Sequence, residues 1–122
     1  MSSVILYADA DAGRRSAVSE ELEATRRFAP ATASSLRATR ERLAAQRVDA
    51  VVVGATVADG TAADLVATVA SVAPWLPLFV YAADGETGID AADRETLLTD
   101  RYDADEISPV TLVDELAATI SE

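Results

Sequence analysis

Short apolar runs and amphipathic stretches alternate along the chain, from Val4 near its start to Ile120 near its end. Apolar runs bounded by turn residues predict strands, and apolar residues that recur three and four positions apart predict helices. The predicted strands are 4–8, 27–32, 50–53, 76–82 and a minimal last strand at 103–107. Each is followed by a predicted helix, and these begin after Asp11, at Ser34 or Ser35, at Thr61, at Asp90 or Asp93, and at Ser108.

This alternation predicts an α/β fold. Right-handed crossovers place successive strands in one parallel sheet, with helices on both of its faces. We therefore expect a flavodoxin-like (βα)5 three-layer sandwich whose five-stranded parallel sheet has the order 2-1-3-4-5. Ligands of such sheets bind at the carboxyl ends of the strands, beside the switch point between strands one and three.

The segment 48–60 is the predicted centre of that sheet. Its residues 50–53 form an unbroken apolar run that is too short for a helix, and a parallel strand with both faces covered has this composition. The second strand contains Pro30, which predicts an edge position.

Capping residues predict where the helices begin. Asp11 is the predicted cap of the first helix, and Thr61 with Asp64 forms a capping box for the third. The second helix is predicted to run through Arg47, and the fourth, which has the poorest apolar face, is expected to be held least firmly. The predicted apolar positions are Val18 and Leu22 in the first helix, Leu36 and Leu43 in the second, Leu65, Val66, Val69 and Val72 in the third, and Leu97 and Leu98 in the fourth.

The residue content excludes several kinds of chemistry. The chain has neither cysteine nor histidine, which rules out disulfides, thiolate metal sites and the commonest general base. No apolar run is long enough to span a bilayer, and no basic signal region precedes the first strand, so we expect a cytoplasmic protein without membrane contact. The length predicts a single domain over 1–122, which can also be the N-terminal part of a longer signalling protein.

Charge is unevenly spread. The net charge is −11, and all ten basic residues are arginine. Residues 1–47 hold eight arginines and six acids, whereas 48–122 hold two arginines and fifteen acids, which argues against a nucleic-acid partner. Many acids without lysine predict a salt-adapted, haloarchaeal source, although a high-GC genome also replaces lysine with arginine.

The third strand and its loop resemble those of response-regulator receiver (CheY-like) domains, in which Asp-(apolar)4-Asp-x-x-x-Pro-(Asp/Gly)-x-x-Gly is typical. The resemblance covers essentially the whole chain. It puts Gly54 at the position of the phosphorylated aspartate, so the chain looks like a degenerate pseudo-receiver. A Rossmann cofactor domain agrees less well, because the first turn, 9–13, lacks the glycine fingerprint.

The resemblance also locates the other phosphorylation-site positions. The two adjacent acids that hold magnesium correspond to Asp9 and Ala10, with Asp11 one place beyond. The hydroxyl residue at the end of the fourth strand corresponds to Ala82, and the lysine before a proline corresponds to Ser108. We expect no bound metal or cofactor. Two alternatives stay open: Asp9 and Asp11 form a surviving metal site, or Asp9 is solvated and Asp11 only caps a helix.

Gly54 has a possible structural explanation as well. Glycine at a strand's end can take backbone angles that are closed to other residues.

The implied function is a phosphorylation-independent module of a two-component or phosphorelay system, not an enzyme, that acts through protein contacts. Its partner is a sensor kinase, an output domain or a second copy bound through residues 90–122. The alternative is a small ligand-binding or enzymatic domain on the same fold, although Asp9 and Asp11 would repel a flavin phosphate.

Two surfaces are candidates for self-association. Residues 90–122 contain ten acids and two arginines, so contact through this face should grow with salt. The second helix is basic and can dock an acidic face, a contact that should weaken with salt; its arginines are Arg37, Arg40, Arg42 and Arg47. A third alternative is that the acids are solvated surface that contacts nothing.

Overall fold

The computed structural model describes residues 3–82 and 100–120. Within them the strands are β1 (Ser3–Ala8), β2 (Phe28–Ala33), β3 (Ala50–Val53), β4 (Thr56–Val57), β5 (Gly60–Thr61), β6 (Leu78–Ala82) and β7 (Asp100–Asp103). The helices are α1 (Ala12–Ala24), α2 (Leu36–Ala45), α3 (Ala62–Val72) and α4 (Pro109–Thr119). In these two ranges no helix has the length and apolar composition needed to cross a membrane.

Five strands form one parallel sheet in the order β2-β1-β3-β6-β7. If only the strands of this sheet are counted, the order is 2-1-3-4-5, so the predicted flavodoxin-like α/β fold is confirmed. β3 lies in the middle of the sheet and all of its residues are buried. β2 lies at an edge, as Pro30 predicted, because proline has no N–H to donate to a neighbouring strand.

Two apolar cores cover the two faces of the sheet. Because side chains alternate along a strand, Val51 and Val53 pack with α2 and α3, whereas Ala50 and Val52 pack on the other face with α1 and α4. The predicted apolar pair of α1, Val18 and Leu22, is fully buried, as are most of the predicted positions in α3. The fold is therefore three layers, with the sheet between two pairs of helices in the described residues.

Four of the five predicted helix starts lie in the described residues, and these four are confirmed. Asp11 caps α1 by accepting a hydrogen bond from Arg14 N at 3.0 Å, and Ser35 rather than Ser34 caps α2. Thr61 and Asp64 form the capping box that opens α3. These local signals were readable because the side chain and the amide that it caps lie within three residues of each other.

Two predicted boundaries and one predicted apolar position were wrong. The last strand is Asp100–Asp103, not 103–107, because pairing with β6 places Tyr102 beside Tyr81 although the segment has no apolar run. Helix α2 ends at Ala45, two residues before Arg47. Val72 is 42% exposed and lies outside the apolar stripe of α3. The predicted loop 83–88 lies outside the described residues, and so does the helix that was predicted between this loop and the last strand, with Asp90, Asp93, Leu97 and Leu98. That predicted helix is distinct from α4.

The loop after β3 folds back as a two-stranded antiparallel hairpin, β4 and β5. Asp59 lies in the turn between β4 and β5, in agreement with the sequence, which places it in the turn 58–61 that leads into α3. Its carboxylate also caps α2, accepting hydrogen bonds from Leu36 N at 2.6 Å and Arg37 N at 3.4 Å. Ala58 N also donates to Ser34 O at 2.8 Å. These bonds tie the loop beside the candidate site to the start of α2.

The amides of Leu36 and Arg37 lower the pKa of Asp59, so its contribution to stability is present above the unfolded value, about 3.9, and is lost as pH falls through the folded value. We expect the Asp59→Asn protein to lose less stability than the wild type between about pH 5 and pH 2. Urea unfolding across this range measures the difference. Glu23→Gln removes the same charge from the exposed end of α1, and an equal change in that control would contradict the capping role.

Candidate functional site

The carboxyl ends of β1, β3 and β6 meet at one edge of the sheet. Asp9 follows β1, Gly54 follows β3, and Ala82 is the last residue of β6. Gly54 N donates a hydrogen bond to Ala8 O at 2.7 Å, which holds the ends of β1 and β3 together. The structure thus brings Asp9 and Gly54 into contact, as expected for neighbouring parallel strands.

The carboxylate of Asp9 points into the protein. Asp9 is only 2% exposed, and its Oδ2 accepts a hydrogen bond from the Tyr7 hydroxyl at 2.5 Å. Its Oδ1 accepts from Asp11 N at 3.0 Å, and Arg14 Nη1 lies 3.8 Å from Oδ2. Asp9 is therefore not a solvated remnant, since both carboxylate oxygens already have partners within the protein.

Gly54 makes room for that carboxylate. A Cβ atom at position 54 would lie 2.7 Å from the Cβ of Asp9 and closer still to Asp9 Cγ and Oδ2, well inside van der Waals contact. The backbone of Gly54 is outside the left-handed region, so the suggestion that glycine serves special angles here was wrong. The reason for glycine is space, because the Asp9 side chain lies where a side chain at 54 would begin.

Tyr7 is the fully buried partner of this carboxylate. Burial, followed by the hydrogen bond to Asp9, raises the pKa of Tyr7, so its hydroxyl stays protonated and acts as a donor. Tyr7 and Asp9 are two residues apart on an extended segment, so their side chains leave it on the same side. That spacing is the sequence signal that could have identified Tyr7, which the motif comparison did not single out.

Two arginines from α1 cover the turn between β1 and α1. Arg15 Nη1 donates to the carbonyl oxygens of Asp9 at 2.7 Å and Ala10 at 3.0 Å. Arg14 places its guanidinium beside the Asp9 carboxylate. The turn between β1 and α1 is thus closed by two guanidinium groups at the carboxyl edge of the sheet.

Magnesium requires several oxygen ligands around one point. The carboxylate of Asp9 is directed inward, and that of Asp11 is directed at its own helix, where the Arg14 amide lowers the pKa of Asp11. Ala10 and Gly54 supply no side-chain oxygen. The residues present here therefore do not fit a magnesium ion. In the described part of the chain, no three acidic side chains converge as a cation site.

The remaining predicted positions are Ala82 and Ser108, and neither side chain adds a charged group to the site. Ala82 is buried at the end of β6 and offers only a methyl group. Ser108 lies five residues beyond the end of β7, where its Oγ caps α4 by accepting from Thr111 N at 3.4 Å. Tyr81 OH donates to Ile107 O at 2.9 Å, which joins β6 to the turn that precedes α4.

No protein-family model matches the sequence, and no curated protein does. Solved structures of CheY-like receiver domains do share the fold. The chemotaxis response regulator CheY4 of Vibrio cholerae superposes with a TM-score of 0.82 at 17% identity, over 98% of this chain and 100% of that one.

Two further structures give the same result. A CheY-like receiver domain protein from Methanospirillum hungatei has a TM-score of 0.81 at 12% identity, over 98% of this chain and 94% of that one. The response regulator TrrA of Thermotoga maritima, solved with Mg²⁺ and BeF, has a TM-score of 0.80 at 12% identity, over 97% and 99%. At sequence identities of 12% and 17%, these superpositions show that the fold is shared and nothing more.

The contact between Asp9 and Gly54 predicts a specific mutant result. Gly54→Ala should lower the free energy of unfolding by about 1–3 kcal/mol, since the added methyl group overpacks a buried site. In an Asp9→Gly background the same change should cost close to nothing. A chemical-unfolding cycle of the four proteins should give a coupling of roughly 1–3 kcal/mol.

Gly13 provides the matched control. A Cβ there would approach only Asp11 Oδ1, at 3.3 Å, and alanine favours the helix, so Gly13→Ala should be neutral or stabilising. Equal costs for Gly54→Ala with and without Asp9 would show that the crowding comes from elsewhere.

Proposed function

We propose that this chain is a receiver-like module of a two-component or phosphorelay system that works without phosphorylation and signals by protein contact. The supporting observation is the buried Asp9 carboxylate, which lies in the space that a side chain at position 54 would need. The fold shared with receiver domains supports the signalling role.

Phosphoryl transfer to a receiver requires an exposed carboxylate next to a metal ion. Position 54 has no carboxylate, and Asp9 cannot act in its place because it is covered by Tyr7, Arg14 and the Asp11 amide. The same contacts direct Asp9 away from the position of a metal ligand. We therefore attribute the inability to accept a phosphoryl group to two features, the missing carboxylate at position 54 and the inward direction of Asp9.

Other nearby acids are committed to structural roles. Asp11 and Asp59 are exposed, but each carboxylate accepts backbone amide hydrogen bonds at the start of a helix. Using either as a phosphoryl acceptor would remove a helix cap. We propose that neither is an acceptor and that the chain has no enzymatic activity of its own.

Acetyl phosphate or beryllium fluoride with magnesium should leave the protein unchanged. Intact mass and amide NMR spectra report this directly, and a stable gain of one phosphoryl group on any aspartate would refute the proposal.

Gly54→Asp is the decisive variant: it restores the missing carboxylate, yet it should bind magnesium weakly and remain unphosphorylated, because Asp9 blocks the space and Ala10 and Ala82 are unchanged. Magnesium affinity like that of an ordinary receiver would contradict this.

One observation supports the alternative of a small-ligand binder. A cavity of about 520 Å³ lies between β2 and α2, and its lining includes Arg15 and Arg42 with the hydroxyls of Thr32 and Ser34. These groups would suit a small anion, although Glu41 also lines the cavity. Saturable binding of such an anion, lost in Arg42→Gln, would favour this second function over a purely protein-contact role.

We also propose that the acidic surface is an adaptation to salt and that the protein works in the cytoplasm without contacting nucleic acid. Exposed acids occur on both helical layers and in the turn before α4: Glu20, Glu23, Asp114 and Glu115 on α1 and α4, Glu41 and Asp64 on α2 and α3, and Asp105 and Glu106 in the turn. Such a surface would repel a phosphate backbone and stay hydrated in concentrated salt.

A further inference from the structure

Exposed large apolar side chains are few in the described residues. They are Val72 at 42%, Trp75 at 75% and Val110 at 50% relative exposure. Trp75 is the chain's one tryptophan, and tryptophan is enriched among the residues that contribute most to protein interfaces. Val72 is the last residue of α3 and Trp75 lies three residues beyond it, so both belong to the surface around the end of that helix.

The Trp75 surface consists of Leu43, Arg47, Val72, Trp75 and Leu76. Apart from Val72, its members line a cavity of about 240 Å³ between the end of α2 and the segment that follows α3. Arg47 is 79% exposed; its Nε pairs with Asp49 Oδ1 at 3.1 Å, and the rest of the guanidinium faces solvent. The surface thus combines an exposed aromatic ring, an apolar recess and a cation.

The α4 surface has the complementary composition. Val110 and Asp114 lie four residues apart on the helix, so they share one face, and both are exposed. Glu115 beside them is also exposed. This surface therefore combines an exposed apolar side chain with acids, the counterpart of the tryptophan and arginine on the Trp75 surface.

We infer that the Trp75 surface of one copy binds the α4 surface of a second copy, with Val110 against Trp75 and Asp114 against Arg47. The occupant is a second copy because this chain itself carries the complementary charge and apolar group. The inference extends the proposed role in protein contact, but it does not depend on whether the site can be phosphorylated.

The positions of the two surfaces determine the kind of assembly. α2 and α3 cover one face of the sheet, whereas α4 covers the other. Two copies related by a twofold axis cannot make both contacts at once. The contact is therefore head to tail, and it continues as a chain or closes as a ring of more than two copies.

Sedimentation velocity over a concentration series at about 0.15 M salt tests this inference. The wild type should grow past a dimer as concentration rises. Trp75→Ala should weaken association by about tenfold or more, as expected for a central interface tryptophan. Thermal unfolding checks that the variants remain folded, which is expected because the substituted residues are exposed.

Charge reversal separates a specific contact from general repulsion. Asp114→Arg lowers the net negative charge, so repulsion alone predicts stronger association, whereas the proposed contact predicts weaker association. Glu23→Arg makes the same charge change on α1 and should not weaken association. Combining Asp114→Arg with Arg47→Glu should restore association to within a few-fold of the wild type.

Three results would overturn the inference: a monomer at all concentrations, a closed dimer, or association that Trp75→Ala leaves unchanged. None of these would affect the phosphorylation-independent role, which the intact-mass measurement decides separately.

Discussion

The side chain of Asp9 and the backbone of Gly54 share one space at the carboxyl ends of the two central strands, and the rest of the candidate site depends on this contact. With glycine at 54, the carboxylate can turn inward and bond to Tyr7. Once it is turned inward, it is lost as a metal ligand, and no side chain can be added at 54 without displacing it. The lack of a side chain at position 54 and the inward direction of the Asp9 carboxylate are therefore two consequences of one packing arrangement.

A buried carboxylate is costly unless it is paired and hydrogen-bonded, by several kcal/mol per ion. Here the donors are a tyrosine hydroxyl and a backbone amide, with a guanidinium nearby. Breaking one of these contacts would leave the charge beside β3 less fully compensated in the centre of the sheet. The carboxyl ends of β1 and β3 are thus part of the protein core, and stability depends there on the contacts among Tyr7, Asp9 and Gly54.

Much of the fold could be predicted because its signals are local. Pro30 marked an edge strand, Asp11 and Thr61 marked helix starts, and 50–53 marked the central strand, since each depends on residues that are adjacent or within one turn. The last strand was placed wrongly because 100–103 is mostly polar, and only its pairing with β6 identifies it. The capping of α2 by Asp59 could not be predicted, because the amides that it caps lie more than twenty residues earlier in the chain.

The site was predictable in composition but not in geometry. The resemblance to receiver domains predicted that their acidic and hydroxyl groups are absent at 10, 54 and 82, and it left Asp9 either solvated or metal-binding. The direction of the Asp9 side chain depends on the hydrogen bond from Tyr7 and on the space left by the absent side chain of Gly54. A sequence motif shows neither of these contacts. The structure thus explains the glycine at 54 by the volume of Asp9, not by backbone freedom.

The inward position of the Asp9 carboxylate is tested most directly by following its carboxyl carbon by ¹³C NMR while magnesium is added up to tens of millimolar. We expect the Asp9 signal to stay unchanged, whereas Tyr7→Phe, which removes one of its donors, should shift it before any metal is added. A saturable magnesium-dependent shift of the Asp9 signal in the wild-type protein would show that the carboxylate is available to a metal and would contradict its enclosed position.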